Sequence, residues 1–312
     1  MRNSPCTCGS GKRFKHCHGR HTNSSTTFKF PFNARFDQLS LSSCYLDLRA
    51  NSQHIGNATG FLWRRNNDIY LITNWHVVTN RDAFTGKFLD GPIAPDTIQV
   101  HANLLHRQAA PSHQADNEHI TYRQQILSAP VHNSHGEPLW YQHPQCSTTH
   151  IDVVAIPLPQ TTSQSTDGIV CINDYNFSEL MHFPGSDVFI IGYPIRATHE
   201  DDYLLPIWKN GTIAREPFAG WRKKPAFLVD ARTSKGMSGS PVIRRVFGPS
   251  VGNNLTMRLD SVVTSEFLGI YSARLHDGDN MPSIGIVWWR STIDEILSQP
   301  SIGERNLTWT TR

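Results

Sequence analysis

No acidic residue occurs before Asp37, although Arg2, Lys12, Arg13, Lys15, Arg20, Lys29 and Arg35 all precede it. The chain therefore starts with a one-signed, basic segment, while its overall net charge of +3 is mild. Long hydrophobic runs are lacking too. No stretch of about eighteen apolar residues offers a membrane span. Met1-Arg2-Asn3-Ser4-Pro5 is followed by no hydrophobic segment, so it does not read as a signal peptide. Internal repeats are absent. Of the six cysteines, Cys6, Cys8 and Cys17 cluster, leaving Cys44, Cys146 and Cys171 as an odd, scattered set that suits no disulfide framework. Together these absences predict a cytoplasmic protein with no membrane partner.

What is present is concentrated in a few motifs. Gly236-Met237-Ser238-Gly239-Ser240-Pro241-Val242 is built like a nucleophile loop. Acyl transfer needs a serine at a tight turn with backbone N–H groups aimed where negative charge develops. Gly236 permits that bend, and the amides of Gly236 and Ser238 are the candidate oxyanion hole. Upstream, Gly60-Phe61-Leu62-Trp63, an Asn66-Asn67-Asp68 turn and Ile69-Tyr70-Leu71-Ile72-Thr73-Asn74 predict a β-hairpin that leads into Trp75-His76-Val77-Val78, with His76 at the end of a buried strand. Between the two motifs, Asp152 opens the apolar strand Val153-Val154-Ala155-Ile156. Taken singly, His76 also fits a core histidine and Asp152 a strand-edge carboxylate. In the order His, Asp, Ser they match one of the known chain orders of a catalytic triad.

The region from about Gly60 to Trp289 resembles the trypsin-like peptidases, of the kind related to HtrA proteins and glutamyl endopeptidases. Gly60-Phe61-Leu62, Thr73-Asn74-Trp75-His76-Val77-Val78, Ile191-Gly192-Tyr193-Pro194 and Gly236-Met237-Ser238-Gly239-Ser240-Pro241 carry the resemblance. It implies an all-β fold of two six-stranded antiparallel barrels, about residues 35–160 and 180–290, within a peptidase domain of residues 35–300. It also implies a serine endopeptidase acting on protein or peptide substrates without a catalytic cofactor. His76 would then be the general base, Asp152 its orienting carboxylate and Ser238 the nucleophile. Many digestive members of the family carry an aspartate before the serine, which pairs with a freshly cut N-terminus. Met237 stands there in this chain and forms no such pair, so the oxyanion loop is expected to be preformed or set by a ligand or partner. The same resemblance puts Arg232 and Thr233 on one wall of the primary specificity pocket and Tyr271 and Ser272 on the other. Arg232 and Thr233 would suit an acidic side chain; Arg232 pointing outward or pairing with Asp230 stays an open alternative.

The basic leader holds a second motif. Cys6-Thr7-Cys8 and Cys17-His18 supply three thiolates and one imidazole, a closed tetrahedral set suited to structural Zn2+. So short a segment builds no core, and metal binding would supply its folding energy. The string resembles the SEC-C motif, a zinc-binding module, here assigned to residues 1–22, with residues 23–34 as linker. Its basic charge suits a docking partner and, ranked behind that, nucleic acid.

The stretch between His76 and Asp152 contains histidines at 101, 106, 113, 119, 132, 135, 143 and 150. Their spacing repeats no ligand pattern, and residues 92–148 read as an elaborated surface loop. Thr292 with Glu295 resembles a capping box that opens a short C-terminal helix. A different class of function stays open beside the enzyme: a catalytically silent or gated barrel scaffold used as a peptide- or partner-binding adaptor.

Overall fold

The computed structural model describes residues 36–108, 119–158, 168–194, 204–252, 254–259, 263–275 and 283–304. The zinc-motif residues Cys6, Cys8, Cys17 and His18 and the linker lie outside them. Short apolar runs separated by Asn, Gly and Pro turns give strands almost throughout. The first lobe contains β1 (Ser43–Ala50), β2 (Gln53–Arg65), β3 (Asp68–Thr73), β4 (Thr97–Gln108), β5 (His119–Pro130), β6 (Tyr141–Gln142) and β7 (Val154–Pro157). The second contains β8 (Asp187–Gly192), β9 (Ile207–Ile213), β10 (Ala226–Asp230), β11 (Pro241–Phe247), a small hairpin β12 (Ser250–Val251) with β13 (Met257–Arg258), β14 (Val263–Arg274) and β15 (Ile284–Trp289). The chain then returns to lobe one as β16 (Ser301–Ile302).

Lobe two closes into a six-stranded barrel in the order β10-β15-β14-β11-β8-β9. Lobe one is an eight-stranded sheet in the order β16-β6-β7-β3-β2-β1-β4-β5. It carries two strands beyond six because β6 and β16 pair with each other at one margin. The expected β2–β3 hairpin is present, paired from Phe61↔Ile72 to Arg65↔Asp68 and turned at Asn66, whose φ is 55°.

The histidine-rich stretch is not a surface loop. It supplies β4, which pairs with β1, and β5, which pairs with β4 along its whole length. Ile98, Val100 and Ala102 of β4 enter the lobe-one core and alternate with the half-buried polar residues Gln99 and His101, the pattern of a strand. Among the described residues no group of three or more His, Cys, Asp or Glu is placed to hold a metal, and no helix is long and apolar enough to cross a membrane.

One apolar core fills each lobe and another joins them. In the joining core, Phe61 meets Phe267 edge-on at 5.5 Å. Two helices seal this seam. At α1 (Gln38–Ser42) the Asp37 carboxylate caps the Leu39 N–H at 2.9 Å and receives both guanidinium ends of Arg245 from the barrel. Helices α2 (Trp75–Thr79) and α3 (Cys146–Thr149) are single turns in lobe one. At the C-terminal end, α4 (Ser291–Ser298) buries Ile293 and Ile296 in the joining core. The capping box expected there does not form. Arg290 is already helical, Thr292 Oγ1 donates back to the Trp289 carbonyl, and the Glu295 carboxylate is taken by His143 Nε2 at 2.6 Å.

Candidate active site

His76 does not end a strand: β3 stops at Thr73, three residues earlier, and His76 lies in the first turn of α2. Asn74, fully buried ahead of that turn, donates its side-chain amide to the Asp152 carbonyl at 2.7 Å and ties the two segments together. Asp152 is 1 % exposed, two residues before β7. A buried carboxylate must have its charge satisfied by donors. Asp152 Oδ1 accepts the His76 backbone N–H at 2.8 Å, and Oδ2 accepts His76 Nδ1–H at 2.7 Å. Oδ2 also accepts the hydroxyl of Ser272, which arrives on β14 from lobe two. With Nδ1 donating to Asp152, the neutral imidazole carries its lone pair on Nε2.

The other half of the site is the turn between β10 and β11. Gly236 has φ of 94° and Gly239 φ of 84°, conformations that disfavour a side chain. A Cβ on Gly239 would fall 2.0 Å from the Thr59 carbonyl oxygen, so the turn packs directly on β2. Ser238, half-buried, lies between these glycines. Within the turn, Met237 N–H donates to Ser234 O, Gly239 N–H to Tyr271 O and Ser240 N–H to Met237 O. The N–H groups of Gly236 and Ser238 donate to no protein acceptor among the described residues. The Ser238 carbonyl is anchored by the Thr59 N–H at 2.9 Å. No hydrogen bond joins Ser238 Oγ to His76 Nε2 among the described residues, an open arrangement common in unliganded catalytic sites.

Residues 58–248 match the family model described as the trypsin-like peptidase domain. The chain belongs to the trypsin-like peptidase family. Residues 2–20 match the SEC-C motif. Among solved structures, the trypsin-like chain is similar to the active form of the Rv3671c protease from M. tuberculosis, at 14 % identity over 85 % of this chain and 83 % of that one, with a TM-score of 0.45. It is similar to a serine endoprotease from Yersinia pestis at 13 % identity, covering 86 % and 67 %, TM-score 0.44. A Glu endopeptidase is similar at 14 % identity, covering 83 % and 90 %, TM-score 0.41. No curated protein matches.

The four candidate pocket residues of this trypsin-like domain go to different places. Arg232 is exposed. Thr233 is buried, its hydroxyl 2.5 Å from the Tyr271 OH, and the Tyr271 ring lies so close over Gly285 that a Cβ there would meet it at 2.5 Å. Ser272 turns away from this pair and onto Asp152. That contact and the Asn74 bond were not legible in the sequence; Asn74 precedes the Trp75-His76 pair, but no spacing relates Ser272 to Asp152, 120 positions away.

Burial works against a charged His76 imidazole, but the neighbouring Asp152 charge and its hydrogen bond, with Asp82 adding to them, outweigh it and raise the pKa above the ordinary histidine value. Two buried thiols of lobe one are inert by comparison. Desolvation pushes Cys146 and Cys171 up to about 12, so neither is a thiolate nucleophile at neutral pH.

Proposed function

We propose that this chain is a serine endopeptidase working through Ser238, His76 and Asp152 by way of an acyl-enzyme. Ser238 Oγ attacks the peptide carbonyl carbon as His76 Nε2 takes its proton. The carbonyl oxygen becomes an oxyanion and accepts from the Gly236 and Ser238 N–H groups. His76 then returns the proton to the leaving amine as the C–N bond breaks, and water hydrolyses the ester by the same steps. Asp152 holds the imidazole in the tautomer with Nε2 free and stabilises its protonated form. The observation that carries this reading is a half-buried serine whose N–H, like that of Gly236, meets no protein acceptor among the described residues, while the neighbouring N–H groups of Met237, Gly239 and Ser240 are engaged.

Labelling of the purified protein with a fluorophosphonate probe tests it. Labelling that disappears in Ser238→Ala is expected; a folded wild type that takes up no probe counts against it.

The donor set of Cys6, Cys8, Cys17 and His18 suits structural Zn2+, and we assign the motif a docking role toward a partner or substrate. Deleting residues 1–22 should leave peptide cleavage intact while recruitment fails; a dead truncated enzyme would make the motif part of the peptidase itself. Three buried thiols without disulfide partners support a reducing, cytoplasmic setting, which cell fractionation checks.

A further inference from the structure

We propose that Thr59 is the positioning residue that holds the oxyanion loop in its acyl-transfer shape; the proposal rests on the serine-peptidase reading above. Thr59 is fully buried on β2, in lobe one, yet its hydrogen bonds reach across the seam. Its N–H donates to Ser238 O at 2.9 Å, and its hydroxyl donates to Gly236 O at 2.7 Å. The same hydroxyl accepts the Tyr193 N–H at 2.9 Å. The Thr59 carbonyl accepts the Thr73 hydroxyl at 2.9 Å, three residues before His76.

The consequence lies in which peptide groups are anchored. The peptide joining Gly236 to Met237 is fixed at both ends, its C=O by Thr59 and its N–H by Ser234. The Ser238 N–H lies between two carbonyls that Thr59 holds, so its direction is set. The Gly236 N–H lies just ahead of the first anchor, on a residue whose φ of 94° only glycine adopts readily. Among the described residues, the Thr59 hydroxyl alone holds the Gly236 carbonyl from lobe one. Met237, between the anchors, is buried among apolar residues of the barrel core and brings no charge to fix the loop. A group at position 59 must both donate and accept here. Serine and threonine can; valine, of similar shape, cannot. Loop geometry is thus referenced to the strand that pairs with β3, just ahead of His76, with no cut chain end required.

The test compares full-length wild type, Thr59→Val and Thr59→Ser by fluorophosphonate labelling, separating the maximal labelling rate from the probe's apparent affinity. Removing one oxyanion donor outright costs about a hundredfold or more, so loosening both should lower the Thr59→Val rate by about tenfold to a hundredfold. Affinity should stay within about threefold, and Thr59→Ser should recover to within about threefold of wild type. A wild-type rate in Thr59→Val overturns the proposal, as does an equal loss in Thr59→Ser, which would make shape rather than the hydroxyl decisive. If circular dichroism shows Thr59→Val unfolded, Thr59→Ala replaces it, which also leaves no donor or acceptor on the side chain; a wild-type rate there overturns the proposal equally. A folded wild type that does not label overturns the peptidase reading instead, so the two failures are distinct.

Discussion

The two halves of the candidate site treat their hydrogen-bonding groups in opposite ways. On the lobe-one side the Asp152 carboxylate accepts from three donors, and the imidazole beside it has one orientation left. On the lobe-two side the N–H groups of Met237, Gly239 and Ser240 are engaged, while those of Gly236 and Ser238 meet no protein acceptor among the described residues. The difference follows from charge. An anion that is permanently buried has to be solvated by the protein at all times. On the proposed peptidase reading, donors meant for an anion that exists only during the reaction are held in place but left without a partner.

Removing the permanent charge should break this contrast most severely. Asp152→Asn is expected to lower turnover by about four orders of magnitude while the fold survives, because its amide selects the wrong imidazole tautomer. Steady-state peptide hydrolysis with circular dichroism as control measures it; a loss under tenfold would deny Asp152 its role.

The pH profile comes next. Protonated His76 cannot accept the Ser238 proton, so the labelling rate should fall about tenfold for each pH unit below its pKa. That pKa is raised, which places the acid limb above 6.5. Asp152 supplies both the main opposing charge and the hydrogen bond, so in Asp152→Asn the limb should move to lower pH. In stability the sign is the reverse of activity: a raised folded-state pKa stabilises the protein below about pH 6.5, and that contribution fades as pH climbs through the folded value.

Ser272→Ala removes one of the three donors and leaves the imidazole contact. Turnover should drop about tenfold and stability by about 1.5–3 kcal/mol, the usual range for a hydrogen bond to a charged group. Denaturant titration beside kinetics separates the two effects. The smallest change is expected far from Ser238, at Asp37→Asn. Asparagine still caps α1, but the charge facing Arg245 is gone. A stability loss of about 1 kcal/mol with turnover near wild type would mark this pair as a clasp between lobes. A turnover loss as large as that of Ser272→Ala would mean that the clasp reaches the chemistry.

Much of this arrangement can be read before any coordinates. The all-β pattern follows from short apolar runs and their turn residues, and the stretches around His76, Asp152 and Ser238 carry residue types that acyl transfer requires. What escapes is whatever depends on partners distant in sequence. Ser272 reads as a pocket residue until β14 is seen crossing to Asp152. Glu295 has capping-box spacing, but a histidine 152 residues away takes its carboxylate. The polar, histidine-rich stretch looks like a loop because only alternate residues of β4 face the core, and the pairing that makes it a sheet is with β1. Thr59 is hardest of all: an ordinary buried threonine whose importance lies entirely in the two carbonyls it meets across the seam.

The strand order has a consequence for a chain made from its N-terminus onward. Lobe one is begun first but finished last, because β16 completes its margin only after the whole barrel has been added. The same closing segment accepts the Trp75 indole N–H at the Glu304 carbonyl and donates Gly303 N–H to Trp140, beside the turn that bears His76. On the ribosome, the neighbourhood of His76 thus stays unfinished until residues 301–304 have emerged.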